Sequence, residues 1–443
     1  MKLWQKSTDS LKEVNLFTAG QDSKMDEFLI KADLWGSLAH VQMLGEAGLL
    51  SAGETKKLLE ELKKLLSEAE SGNFKIEDGV EDVHSQVELE LTRRLGDVGK
   101  KIHSGRSRND QVLTDIKLFL REEIRLLAIE IRETFNIFLD LSVQHREKLL
   151  PGYTHLQLAM PSSFGLWFGA YAESLADDLI SLQGAYRYAN RNPLGSAAGY
   201  GSSFPLNRDL TSKLLGFEAP HINVVNAQMS RGKTEKITAQ ALSNIAATLS
   251  KMAMDSCLYM NPNFGFISFP QELTTGSSIM PHKKNPDVFE LVRARCNQLQ
   301  SLPSEITNVL TNLPSGYHRD LQVIKEILFP AFAQLKDCLE MMRLMFSSVR
   351  IREGILEDQQ YKFLFSVEEV NKLVLQGIPF RDAYRQVGEI IESGAFSPTG
   401  KVNHTHLGSI GNTGTERIRA YFDNEFARFN FDYSLNAIRE LTS

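Results

Sequence analysis

Apolar residues recur with a helical period along residues 110–144. Spacings of three and four residues separate Ile116, Leu120, Ile124, Leu127, Ile131, Phe135 and Phe138. Charged side chains lie between them, which is typical of a long amphipathic helix. Residues 237–254 and 323–345 show a similar period. No segment strings together alternating Val, Ile and Thr strands between tight turns. The pattern therefore predicts an all-α fold.

The distribution of proline supports long helices in the middle of the chain. None of the 14 prolines precedes Pro151, and the intervals 220–262 and 330–379 also lack internal proline. Glycine, serine and proline cluster instead at residues 192–205 and 261–286, which we expect to be loops. The long helices predict a bundle that packs against other subunits or, alternatively, a monomeric bundle with one wide apolar face.

Composition excludes several classes of protein. The 443 residues carry 49 Lys and Arg against 55 Asp and Glu, a net charge of −6, so no bulk basic field is available for nucleic acid. The three cysteines, Cys257, Cys296 and Cys338, have no C-x-x-C spacing, which argues against a zinc ribbon or disulfide framework. The first residues lack the apolar stretch of a secretory signal, so we expect a cytoplasmic protein.

One uncharged segment, residues 149–172, has the length of a membrane span. It contains Pro151, Pro161 and His155, however, and these residues argue against a span. We expect no membrane association and interpret the segment as a buried stretch built around a site.

Three polar loops are candidates for chemistry, and the first is residues 102–112. Arg106, Arg108, Asn109 and Gln111 lie at the predicted start of the long helix, where backbone N–H groups favour an anion. This arrangement suits a dicarboxylate. The alternative is a helix-capping segment formed by Ser107, Asn109 and Asp110, with solvated arginines.

The second and third loops are residues 151–157 and 274–290. His155 in the second can gain or lose a proton near pH 7, as a general acid or base must, although a lone histidine is more often structural. The third combines Gly276 and Ser277 with Lys283, and a serine hydroxyl reacts readily only when cations or amide donors stabilise its oxyanion. The alternative for the third is a mobile basic surface loop.

Other motifs are weaker. The sequence Gly199-Tyr200-Gly201 lacks the third glycine of a dinucleotide fingerprint, and no P-loop is present. His404 and His406 could ligate a metal only with further partners, so we interpret them as part of a solvated turn. Ser277 also lacks the G-x-S-x-G setting of a hydrolase. We therefore predict neither a metal nor a cofactor.

These motifs resemble the fumarase/aspartase superfamily, whose members release fumarate from a succinyl unit. GSSIMPHKKNP at residues 276–286 is similar to its signature loop. Within the superfamily, the chain most resembles the argininosuccinate lyases, through HSGRSRNDQV, GYTHLQ, PLGSAAGYGSSFP and LPSGYHRDLQVIKE in that order. The resemblance covers roughly residues 10–345.

The resemblance implies an all-α, three-domain subunit with boundaries at residues 1–103, 104–350 and 351–443. The central long-helix bundle would assemble into a homotetramer with shared active sites. The implied reaction splits argininosuccinate into arginine and fumarate without a cofactor.

The resemblance also implies roles for individual residues. Ser277 and His155 match the catalytic serine and histidine, Glu290 the carboxylate that supports the histidine, and Lys283 the lysine that faces the developing carbanion. The implied substrate contacts are Arg108, Asn109, Thr154, Asn285, Tyr317, Gln322 and Lys325.

The sequence departs from the argininosuccinate lyases at two places. His282 replaces the usual glutamine, and adenylosuccinate lyases have His or Tyr there. FTAGQDSKMD replaces the usual F-N-x-S pattern, so the early substrate-contacting serine has no clear counterpart, although Gly20 or Ser23 lies nearby in sequence. The alternatives are therefore adenylosuccinate lyase, another fumarate-releasing lyase, or a structural protein of the delta-crystallin kind.

Overall fold

The structure is a computed structural model that describes residues 11–276 and 278–443. Its helices before residue 200 are α1 (Lys12–Ala19), α2 (Asp22–Asp26), α3 (Ile30–Glu46), α4 (Ala52–Glu70), α5 (Val83–Leu95), α6 (Asp97–Lys100), α7 (Arg108–Gln144) and α8 (Phe164–Ala189). Those after residue 200 are α9 (Arg208–Leu214), α10 (Val224–Met229), α11 (Lys233–Met260), α12 (Asp287–Leu299), α13 (Leu302–Leu310), α14 (Val323–Phe346), α15 (Ser366–Leu375), α16 (Phe380–Glu392), α17 (Thr415–Ala427) and α18 (Phe431–Thr442). The prediction of a predominantly helical chain is confirmed.

The segments with a helical period in the sequence form helices α7, α11 and α14, which pack with α8 in one bundle. The seven apolar residues that defined the period of α7 are all fully buried there. Each such side chain contributes roughly 1.5–3 kcal/mol by leaving water. The two other predicted helices are also present, as parts of α11 and α14. Pro330 lies inside α14 on an exposed face.

The strands are short and form three two-stranded pairs among the described residues. They are β1 (Leu149–Thr154), β2 (Gln157–Ser163), β3 (Arg191–Asn192), β4 (Ala219–Pro220), β5 (Ile267–Ser268) and β6 (Arg350–Ile351). The first two form an antiparallel hairpin with a register shift between Pro151 and Tyr153. This hairpin was not predicted, and within a single chain its tip lacks the burial that we expected for residues 149–172. Residues 154–158 are exposed, whereas the stretch from Phe164 begins α8 and is largely buried.

A capping box starts α7. The Ser107 hydroxyl accepts a hydrogen bond from the Asn109 backbone N–H, and the Ser107 N–H donates to Asp110 Oδ1 at 2.8 Å. Asp110 Oδ2 also accepts from the N–H groups of Gly195 and Ala197, at 3.0 and 2.8 Å. Burial raises the pKa of Asp110 to about 6. The capping alternative is therefore confirmed for Ser107 and Asp110, and Asp110 also joins the loop of residues 192–205 to the start of α7.

The last hundred residues pack partly in a small separate core and partly against the helical bundle. A small separate core lies between α15 and α16, formed by Val370, Ala383, Val387 and Phe396. In contrast, α17 returns to the bundle, where the Phe422 ring stacks on Phe135 of α7 at 3.9 Å. The three-domain division stays a prediction. Within the part of the chain that the structure describes, no helix combines the length and apolar character needed to cross a membrane.

Candidate functional site

A polar cavity lies where five distant segments meet. These segments are α2, residues 81–84 at the start of α5, the start of α7, Arg231 just before α11, and residues 317–325. The cavity has a volume of about 270 Å³ and is lined by Asp22, Asp26, Glu81, Asp82, His84, Arg108, Asn109, Val112, Arg231, Tyr317, Arg319, Gln322 and Lys325. This volume is at the small end for a ligand site, so it suits one end of an extended substrate. Five of the predicted substrate contacts line it: Arg108, Asn109, Tyr317, Gln322 and Lys325.

Lys325 is the most deeply buried cation of the cavity. Its ammonium group donates to Asp26 Oδ1 at 2.5 Å and also contacts Asp22. Burial alone would lower the pKa of Lys325, but the two carboxylates raise it above its usual value. Asp22 and Asp26 belong to the segment that departs from the family pattern, and neither Gly20 nor Ser23 takes their place in the cavity lining.

Arg108 is also held by carboxylates. Its Nη1 lies 2.9 Å from Glu81 Oε2 and 3.3 Å from Asp82 Oδ2, and its Nη2 donates to Ser85 Oγ at 2.7 Å. Arg319 contacts the second oxygen of Glu81 at 3.0 Å. These pairs fix the guanidinium groups in place. They also mean that the solvated-arginine alternative is wrong for Arg108.

Arg231 is a cavity residue that the sequence analysis missed. Its Nε lies 2.8 Å from Glu235 Oε1, and its Nη2 donates to the Leu321 carbonyl at 3.0 Å. Its Nη1 is buried and has no hydrogen-bond partner. Gln322, by contrast, donates its amide to the carbonyls of Thr18 and Ala19 at the end of α1. No local pattern around Arg231 indicates a site, because its partners come from elsewhere in the chain.

His155 lies at the tip of the β1–β2 hairpin, away from this cavity. His155 and Leu156 form the two-residue turn, with φ of 54° and 57°. Such turns favour Asn-Gly, and a left-handed residue with a side chain costs about 1–2 kcal/mol. His155 is exposed and borders a second, more apolar cavity with Tyr153, Trp167 and other residues. The hairpin therefore holds a strained histidine at the surface, and Thr154 beside it is also exposed.

The signature loop forms a third location. Thr275 and Asn285 pair across its base, where the Asn285 N–H donates to the Thr275 carbonyl at 2.9 Å. The side chains of Lys283 and Glu290 are exposed. Ser277 lies outside the described residues. Within the described part of one chain, the predicted site residues thus occupy three separate surfaces: the cavity, the hairpin and the loop.

Comparisons with known proteins identify the family. A profile described as lyase matches residues 2–301. A protein of Phocaeicola vulgatus named argininosuccinate lyase is 58% identical over 440 residues, which cover 99% of both chains. One of Parabacteroides distasonis with the same name is 59% identical over 440 residues, again 99% of both chains. The chain belongs to the argininosuccinate lyase family.

The fold of this argininosuccinate lyase family member also matches solved structures. The crystal structure of EDDS lyase in complex with formate has a TM-score of 0.75 and 22% identity, covering 98% of this chain and 94% of that chain. At this identity the likeness shows the fold alone, and it agrees with the helical bundle. The family resemblance drawn from the sequence motifs is confirmed, and the adenylosuccinate lyase and crystallin alternatives are not favoured.

Proposed function

We propose that this protein is an argininosuccinate lyase, which eliminates fumarate from argininosuccinate and releases L-arginine. The observation that carries the proposal is the 58–59% identity, across 99% of each chain, to relatives with that name. The cavity supports it chemically. An amino-acid end with one ammonium and one carboxylate group needs both anionic and cationic partners, and this cavity has both.

The reaction begins with removal of a proton from the succinyl carbon next to a carboxylate. Ser277 acts as the base, and the electron pair passes into that carboxylate as a dianionic aci-carboxylate. Lys283 and the amides of the signature loop stabilise this intermediate. The C–N bond then breaks, its electron pair stays on the guanidino nitrogen, and His155 or a water molecule bound to it supplies the proton. The proton that Ser277 removes and the proton that His155 supplies balance, and the enzyme returns to its starting state when Ser277 loses a proton and His155 regains one, so turnover consumes no cofactor.

The binding roles are those that the family resemblance implies, and the presence of five of these residues in the cavity lining supports them. Tyr317, Gln322 and Lys325 hold the arginine end in the cavity, with Arg108 and Asn109 at its edge towards α7. Thr154 and Asn285 contact the succinyl end from the hairpin and the loop. Glu290 orients His155.

A homotetramer with shared active sites completes the arrangement, since one chain leaves the hairpin, the loop and the cavity apart. Several exposed apolar side chains support burial of the hairpin against other subunits: Leu156 is 81% exposed, and Leu158 and Met160 are also exposed. A symmetric assembly can bring the three surfaces together at each site.

The test uses purified protein with argininosuccinate and, separately, with adenylosuccinate, while fumarate absorbance is followed. We expect fumarate and arginine in equal amounts from the first substrate. Turnover of adenylosuccinate alone would contradict the proposal and would direct attention to His282. Heat-inactivated protein controls for spontaneous elimination of fumarate from either substrate.

A further inference from the structure

A buried charged cluster borders the cavity, and the roles given above do not use it. His84 from α5 lies between Asp33 of α3 and Asp115 of α7. Its Nδ1 is 2.7 Å from Asp33 Oδ1 and 3.4 Å from Asp115 Oδ2. Both carboxylate side chains are 2% exposed, and His84 keeps 6% of its surface. His84 is the member of the three that lines the cavity.

The surrounding charges keep this imidazole protonated. Burial alone would lower the pKa of His84, but the hydrogen bond and charge of Asp33, with the charges of Asp115 and Asp82, raise it to about 10. The position in the first turn of α5 opposes a cation through the helix dipole, so the carboxylates must outweigh that effect. The buried guanidinium of Arg106 also faces Asp33 and Asp115.

The two ring nitrogens of His84 have different surroundings. Nδ1 faces the carboxylates, so Nε2 points away from them, and none of the described residues accepts a hydrogen bond from it. Two other cavity cations contact carboxylates of the cavity wall, Lys325 with Asp26 and Arg108 with Glu81. Arg231 pairs with Glu235 behind the wall and keeps its buried Nη1 without a hydrogen-bond partner. The Nε2–H group of His84 is therefore a charged hydrogen-bond donor. The carboxylates that compensate its charge lie on the opposite, Nδ1 side of the ring.

We propose that His84 binds the α-carboxylate of the arginine end of the substrate through Nε2–H. This inference rests on the proposed function. The arginine end is favoured over the succinyl end because His84 shares the cavity with Tyr317, Gln322 and Lys325, whereas the loop and the hairpin lie elsewhere. A substrate carboxylate that accepts from Nε2–H would form a charge-assisted hydrogen bond, which no described residue of the cavity forms with this group.

The test compares binding of two probes, L-arginine and agmatine, which lacks the α-carboxylate. In the full-length protein, His84→Gln should weaken L-arginine binding about 10- to 100-fold, the range for loss of a hydrogen bond to a charged group. Agmatine and fumarate should bind as in wild type. Titration calorimetry gives each Kd. The matched control is His404→Gln, because His404 also pairs with a carboxylate, Glu368 at 3.0 Å, but does not line the cavity.

A second variant keeps the assignment testable if His84→Gln fails to fold. Combining Asp33→Asn with Asp115→Asn removes both carboxylates that face Nδ1, since either one alone supports the positive charge, and retains the ring. The His84 pKa should then fall, so L-arginine binding should weaken as pH rises from 6 to 8 (about the range of an unperturbed histidine), while wild-type binding stays constant.

Three results would overturn the assignment. The first is an equal loss of L-arginine and agmatine binding in His84→Gln, and the second is no loss at all. The third is a stoichiometric metal in the purified protein that His84→Gln abolishes, because Asp33, His84 and Asp115 also place ligand atoms within 4.8 Å of one another. If wild type cleaves argininosuccinate but the probes do not discriminate, only the His84 assignment fails. If wild type releases no fumarate, the proposed function fails instead.

Discussion

Replacing Lys325 by methionine tests whether the buried charges of the cavity depend on one another. Lys325→Met keeps most of the side-chain volume but leaves the carboxylates of Asp26 and Asp22 without their shared cation. The side chains of Lys325 and Asp26 are 3% and 1% exposed, whereas Asp22 is 20% exposed. The perturbation is thus chiefly the creation of one uncompensated buried charge.

The expected cost follows from this burial. Removing one partner of a buried ion pair destabilises a protein by about 3–5 kcal/mol, and water that reaches Asp22 through the cavity places this case near 3 kcal/mol. The same helix offers a matched control. Lys336 of α14 lies 2.9 Å from Glu123, with side chains 26% and 18% exposed. Lys336→Met should cost about 1 kcal/mol or less.

Urea denaturation followed by circular dichroism measures both variants, at pH 5 and pH 8. Burial raises the folded-state pKa of Asp22 and the charge of Lys325 opposes that effect, so removal of Lys325 raises the Asp22 pKa further above the unfolded value. A raised folded pKa gives stability that is present at low pH and is lost as pH rises through it. The deficit of Lys325→Met should therefore be larger at pH 8 than at pH 5, and the Lys336→Met deficit should change little.

Equal deficits in the two variants would refute the reasoning, because burial would then not determine the cost. A Lys325→Met deficit that shrinks as pH rises would refute the assignment of the cost to the two carboxylates.

Three further predictions concern the proposed reaction. Ser277→Ala should abolish fumarate release in the absorbance assay while circular dichroism stays unchanged, because a loop hydroxyl contributes little to packing. His282→Gln should leave argininosuccinate the substrate, since its arginine end is held in the cavity. His155→Asn and Ser277→Ala, each inactive alone, should recover about a quarter of wild-type activity when co-expressed one to one, since a site built from two chains receives both intact residues in about one case in four.

Each of these has a clear contrary result. Near wild-type activity in Ser277→Ala would remove that residue from the mechanism. A switch towards adenylosuccinate in His282→Gln would show that the loop position governs specificity. Background activity in co-expressed variants, with mixed assemblies verified by mass, would contradict shared sites.

Sequence reasoning succeeded where a local pattern carries the information. The seven apolar positions of α7 repeat every three or four residues, and burial of one helix face follows directly. The β1–β2 hairpin escaped because Pro151 and Pro161 weaken a strand pattern and because His155-Leu156 is not an expected turn pair.

The same contrast between local patterns and distant partners applies to the residues of the cavity. Arg108 and Lys325 stood within recognisable motifs, and both line it. Arg231, Asp26 and His84 did not stand out, since their roles come from partners distant in the sequence. Asp26 and Lys325, for example, are 299 residues apart. No window of the sequence contains such a pair.

The return of α17 to the bundle has a consequence for the order in which the protein is made. Arg419 of α17 donates to Asn136 of α7 at 3.1 Å, across 283 residues of sequence. Phe422 covers the Phe135 ring in the same place. At a synthesis rate of 5–20 residues per second, this stretch of α7 waits roughly 15–60 s for its covering helix. During translation, an apolar strip on the central helix is therefore open to chaperones and to neighbouring nascent chains until the final helices emerge from the ribosome.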